Sequence, residues 1–208
     1  MNPSDTETPD LGAVEVPGIN RSTFILRGAL AAGAAYGVGS VAPFVGNALA
    51  ASPDLEILNF ALTLEYLEAD FYQVKGKSVG LSSAIKPIAK AFGEEESEHV
   101  SALTSAIKKL GGKPVSKPMF AFPVTKEKSF LKLAYVLENT GVGAYNGAGP
   151  SLTDKALLAA AGSIVQIEAR HAATIGLLTN MSLTPNGAFD KPLTAKQVLA
   201  KAGPLIKK

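Results

Sequence analysis

His99 and His171 are the only histidines in the chain, and each has a glutamate three residues before it, in Glu96-Ser-Glu-His99 and Glu168-Ala-Arg-His171. On a helix, residues three apart share a face, so each pair offers a carboxylate and an imidazole to one point in space. Two such pairs are half of a recurring design for holding two metal ions inside a helix bundle, in which two further helices each add one inward glutamate. Glu138 suits the first of these places, because it is the only acidic residue between Phe130 and Tyr145.

For the second place the sequence offers Glu56, Glu65 and Glu68, and an internal repeat favours Glu65. Glu65 lies seven residues before Tyr72, as Glu138 lies seven before Tyr145. Glu65 precedes Glu96 by 31 residues and Glu138 precedes Glu168 by 30, whereas Glu68 would give 28. Both halves therefore read Glu, Tyr, Glu-x-x-His. The candidate metal ligands are Glu65, Glu96, His99, Glu138, Glu168 and His171. Tyr72 and Tyr145 are candidates for a supporting or redox role, and Glu68 for a supporting or surface one. The neighbouring acids Glu94, Glu95 and Glu98 read as a solvated helix face. Burying four carboxylates without cations would be prohibitively costly, and two divalent ions supply the compensating charge. Oxygen and imidazole donors suit iron or manganese. With no cysteine in the chain, thiolate-held zinc and iron–sulfur centres are excluded.

The elements that must position these groups are helices. Ser52-Pro53-Asp54 is a start signal for a first helix from about Asp54 to Val74, with Leu55, Leu58, Leu62, Tyr66 and Ala69 on one face. A second helix is expected from near Ser83 to Gly111-Gly112, a third from a Thr125 cap to about Gly147, and a fourth, capped by Thr153 or Ser151, to about Asn180. Between the second and third, Pro114, Pro118 and Pro123 mark a connection of some fourteen residues. Extended at roughly 3.3 Å per residue, it reaches about 45 Å, the length of a bundle. Gly141, Gly143, Gly147 and Gly149 are costly in a helix and point to close packing or fraying, or to a thin wall beside the metals. A tail from Thr194 to Ala202 forms one short helix, with nothing in it that suggests chemistry. The fold expected is all-α, a ferritin-like four-helix bundle with one long crossover.

Residues 1–50 are expected to be an export signal. From Arg27 to Ala50 the chain is apolar and uncharged after Arg27, and it ends in Ala48-Leu49-Ala50, the small-x-small pattern of a cleavage site. Upstream, Asn20-Arg21-Ser22-Thr23-Phe24-Ile25-Leu26 resembles the twin-arginine signal, with Ser22 where a second arginine would stand. Cleavage after Ala50 would leave a bundle domain over 51–182 and a tail over 183–208. Hydrophobic residues make up 47% and charged ones 18%, with a net charge of +2, which excludes a disordered chain and a strongly basic nucleic-acid binder.

Leu58 to Tyr72, reading LNFALTLEYLEADFY, resembles the first helix of exported ferritin-like domain proteins, a family that includes desiccation-related proteins. The likeness extends over Glu96–His99, Leu137–Tyr145 and Glu168–His171. By analogy with the bacterioferritin-type site, the resemblance implies that Glu96 and Glu168 bridge two ions while Glu65, His99, Glu138 and His171 are terminal ligands. It implies an exported, periplasmic or cell-envelope protein with two iron or manganese ions, acting on peroxide or dioxygen with an external electron donor in oxidative or desiccation stress. Iron uptake with ferroxidase activity, or a bundle merely stabilised by metal, are the alternatives. The expected partners are the small oxidant and the donor, with no nucleic acid, the membrane only through the export signal, and self-association into a homo-oligomer left open.

Overall fold

A computed structural model describes residues 53–207. The expected export signal and its expected cleavage after Ala50 lie outside the described residues. Helix α1 spans Pro53–Asp70, α2 Ile85–Lys109, α3 Glu127–Ala148, α4 Lys155–Thr179 and α5 Ala195–Ala202. Helix α1 packs mainly on α2, and α3 on α4, while α5 lies on α3. The result is the all-α four-helix bundle with a long α2–α3 crossover that the sequence predicts.

The ends of the helices differ in detail from the sequence reading. Instead of running on regularly to Val74, α1 passes into one π-helical turn, Phe71–Lys75, and a last short turn, Gly76–Ser78. Phe71 stacks on Phe130 with ring centroids 4.5 Å apart, and the next residue, Tyr72, donates a hydrogen bond to Glu138. A wider turn accommodates these inward demands on successive residues, and such turns are common at functional sites. Helix α3 is capped at Lys126 and not at Thr125, since the Ser129 hydroxyl reaches back to accept from the Lys126 N–H at 3.2 Å. Asp154 caps α4 through the Ala156 N–H at 2.7 Å. Thr153 is instead committed elsewhere: its N–H and hydroxyl both donate to the buried carboxylate of Asp54, at 2.8 and 2.7 Å, tying the start of α1 to that of α4.

Two apolar clusters fill the bundle. One is built around Phe71, Tyr72, Phe92, Phe130 and Ile175, and the other around Leu58, Leu62, Ile107, Tyr145 and Ile164. The tail closes the outside of α3. Leu193 donates its N–H to the Gly143 carbonyl at 2.8 Å, and its side chain and backbone lie against Gly143 and Gly147. A Cβ on Gly147 would stand 2.0 Å from the Leu193 carbonyl oxygen, so close packing is what this pair of glycines provides. After α5, the chain pairs with the crossover: Phe120 and Ile206 form an antiparallel bridge, flanked by bonds of 2.8 Å from Ala121 N–H to Leu205 and from Lys207 N–H to Met119.

Candidate metal centre

Each of the four long helices turns at least one carboxylate into the space between the two apolar clusters. Glu65 and Glu68 come from α1, Glu96 from α2, Glu138 from α3 and Glu168 from α4, and all are buried. The Glu-x-x-His spacing then brings His99 and His171 to the same layer. Nδ1 of His99 lies 3.1 Å from Glu65 Oε2, 3.0 Å from Glu96 Oε2 and 3.3 Å from Glu168 Oε1. Nδ1 of His171 lies 2.9 Å from Glu96 Oε1 and 3.3 Å from Glu138 Oε2. All six residues singled out in the sequence are thus brought together.

They divide into two groups whose ligand atoms lie within 4.8 Å of one another: Glu65, Glu96, His99 and Glu168, and Glu96, Glu138, Glu168 and His171. Glu96 and Glu168 belong to both. Tyr72 donates to Glu138 from one apolar cluster, and Tyr145 donates to Glu65 at 2.5 Å from the other. The two tyrosines therefore hold the two unshared carboxylates from opposite ends of the bundle.

The donor set fits a pair of cations. Buried oxygens of Glu68, Glu96, Glu138 and Glu168, together with His171 Nδ1, make no hydrogen bond although the native interior normally satisfies such atoms. Among the described residues no Lys or Arg pairs with them, and the ion pairs at this site involve only the two histidines. Burial pushes the carboxyl of Glu65 up to about 8, against the pull of His99, and raises those of Glu68, Glu138 and Glu168 as well. Glu96 goes the other way: burial alone would raise it, but the imidazoles of His171 and His99 beside it bring it to about 2. Against the same desolvation, their glutamate partners lift His99 to about 12 and His171 to about 11. Without metal the site therefore retains protons, and the charged imidazoles supply the positive charge beside the carboxylates.

Two residues at the site, Glu95 and Phe92, are not identified as such by the sequence, which leaves Glu68 between a supporting and a surface role. Glu95, half-exposed and in an acidic run, accepts from Nε2 of His171 at 2.6 Å. This fixes the ring with Nδ1 turned to the carboxylates, the way an outer carboxylate orients a metal-binding histidine. Phe92 stacks on the same ring at 3.8 Å. Glu68 is not a surface group, being 3% exposed, and its Oε1 is left without a hydrogen bond. It fits because Gly141 faces it: a Cβ there would stand 3.4 Å from Glu68 Oε1 and 3.1 Å from Glu168 Oε2. Glu94 and Lys90 do form an exposed pair, as a solvated face would.

Because Glu65 lies within a four-residue group and Glu68 in neither, their alanine variants should differ. Glu65→Ala is expected to weaken binding of ferrous or manganous ion well beyond the roughly 10 to 100-fold that loss of a supporting partner causes, and Glu68→Ala to stay within that range. Anaerobic titration of both variants under identical conditions measures the difference, and a larger loss for Glu68→Ala would reverse the assignment.

Comparison with known proteins agrees with this fold. The family profile described as "Ferritin-like domain" matches residues 53–181. A solved structure titled as a ferritin-like, diiron-carboxylate protein from Bacillus anthracis str. Ames superposes with a TM-score of 0.57. The two share 23% identity over 61% of this chain and 94% of that one, which speaks to the fold. No curated protein matches the chain.

Proposed function

The chain belongs to the ferritin-like domain family, and from that premise we propose that it is an exported di-metal carboxylate oxidoreductase, using iron or manganese to reduce peroxide or dioxygen. The observation that carries this reading is the sharing of Glu96 and Glu168 between two adjacent groups of buried donors. The solved relative is titled a diiron-carboxylate protein, which agrees with it.

In this reading Glu96 and Glu168 would be shared between two ions, while Glu65 with His99 and Glu138 with His171 would complete the two ends. When bound, the pair would supply one-electron steps, so that two electrons from an external donor and two protons would turn one peroxide into two waters. The protein's own part is to hold that geometry dry. Tyr145 and Tyr72 orient the terminal carboxylates, Glu95 orients His171, and the apolar clusters above and below exclude bulk water. The role we assign is protection of the cell envelope against oxidative or drying stress.

Anaerobic titration with ferrous and manganous ions tests the proposal: two ions per chain are expected, followed by donor-dependent consumption of oxidant. Saturation at one ion, or none, would count against it. Export carries its own expectation, that the abundant form in the native host begins at Ala51. N-terminal sequencing that finds Met1 or Asn2 would refute it.

A further inference from the structure

Beside the carboxylate layer the bundle contains a cavity of about 60 Å³ lined by all four long helices. Its walls combine large apolar side chains, such as Leu58, Leu103 and Ile164, with alanines from every helix: Ala61 of α1, Ala106 of α2, Ala144 of α3 and Ala161 of α4. Ala102 and Ala160 line it too and are exposed, which places its mouth between α2 and α4. Tyr145 is the only lining residue with a polar side chain, and its hydroxyl is already committed to Glu65 at 2.5 Å. The cavity thus runs from the surface to the ring that holds a candidate ligand.

Interiors normally close such space, because unfilled volume forfeits contact on every wall. Here four helices each contribute alanine where a larger hydrocarbon would fill the gap. A polar guest gains nothing inside: water or hydrogen peroxide would leave its O–H groups without partners. Apolar cavities of this kind stay dry and take up xenon or other apolar guests. We propose that the cavity is a binding site and access route for dioxygen, a small apolar molecule, leading to the carboxylate centre past Tyr145. This deepens the proposed function and rests on it, by making dioxygen rather than peroxide the oxidant that reaches the centre from this side.

Xenon is the probe for the cavity, and it needs no metal. In the metal-free full-length protein, xenon-129 NMR should show saturable binding, with shifts at the methyls of Ala61, Ala106, Ala144 and Ala161. Ala161→Leu and Ala106→Leu fill the space and should abolish binding. Ala160→Leu, at the exposed mouth, should slow exchange without loss of the fold. In ferrous-loaded protein, the filling variants should oxidise about tenfold more slowly with dioxygen, while the rate with hydrogen peroxide changes by less than about twofold. Absence of xenon binding to the wild type would overturn the proposal and leave the di-metal reading intact. Equal slowing with both oxidants, or none with either, would overturn the route. Failure of the wild type to bind ferrous ion would instead remove the di-metal reading, and the route's destination with it.

Discussion

Glu168→Gln should cost the protein both metal ions while leaving its fold intact. Glu168 is the carboxylate of α4 in both donor groups, so its loss opens both at once, and we expect affinity for ferrous or manganous ion to fall by more than about 100-fold. Two ions retained at wild-type affinity would sink the bridging role. The metal-free protein should respond in the opposite sense. Burial holds the Glu168 carboxyl well above its ordinary value, so in the folded state it keeps its proton where the unfolded chain has lost it. The folded state then binds more protons than the unfolded one, and stability falls as pH rises above the usual carboxylate range. Glutamine has nothing to ionise. Metal-free Glu168→Gln should therefore match the wild type near pH 4 and exceed it at pH 8, measured by urea denaturation at the two pH values.

Gly147→Ala should be the most damaging glycine-to-alanine change among the described residues. The added carbon would stand 2.0 Å from the backbone oxygen of Leu193, and backbone cannot move aside as a flexible side chain can. We expect the segment before α5 to lift from α3, with a loss of about 3 kcal/mol, or a melting temperature lower by roughly 10 °C, and new proteolytic cleavage near residues 183–194. Gly162→Ala is the control, because nothing lies within 4 Å of the position on α4. There the change should be neutral or stabilise by up to about 1 kcal/mol, as alanine does in a helix interior. A Gly147→Ala protein that melts within a degree of the wild type would show that the tail is not seated as described.

Some of this was written plainly in the sequence. Periodicity, proline placement and the long connection give the bundle, and the repeat of Glu, Tyr and Glu-x-x-His picks out the six side chains that the helices bring together. Those signals depend on spacing along one helix, where geometry is nearly fixed. What stayed hidden depends on pairs remote in the chain. Glu95 looked like one more acid on a wet helix face, and only the approach of α4 places His171 against it. Glu68 is buried because residue 141, on another helix, lacks a side chain. Thr153 looked like a helix cap, and Asp54, some hundred residues earlier, claims it. Leu193, in a tail without chemical promise, turned out to be what Gly143 and Gly147 accommodate. In each case the deciding partner is identified by packing and not by local pattern.

The repeat is also imperfect, and the imperfection makes the two ends of the centre unlike each other. Three residues after Glu65 stands Glu68, but three after Glu138 stands Gly141, so only one half adds a further carboxylate. His171 is backed by Glu95 and is 2% exposed, whereas the side chain of His99 keeps 11% of its surface. A backed imidazole is the more basic donor. An ion bound beside it would be the easier to oxidise, and a bound pair would give up electrons in a fixed order instead of interchangeably. Loaded with iron-57, the protein is expected to show two distinct quadrupole doublets in its Mössbauer spectrum, one for each half of a duplication that no longer matches itself.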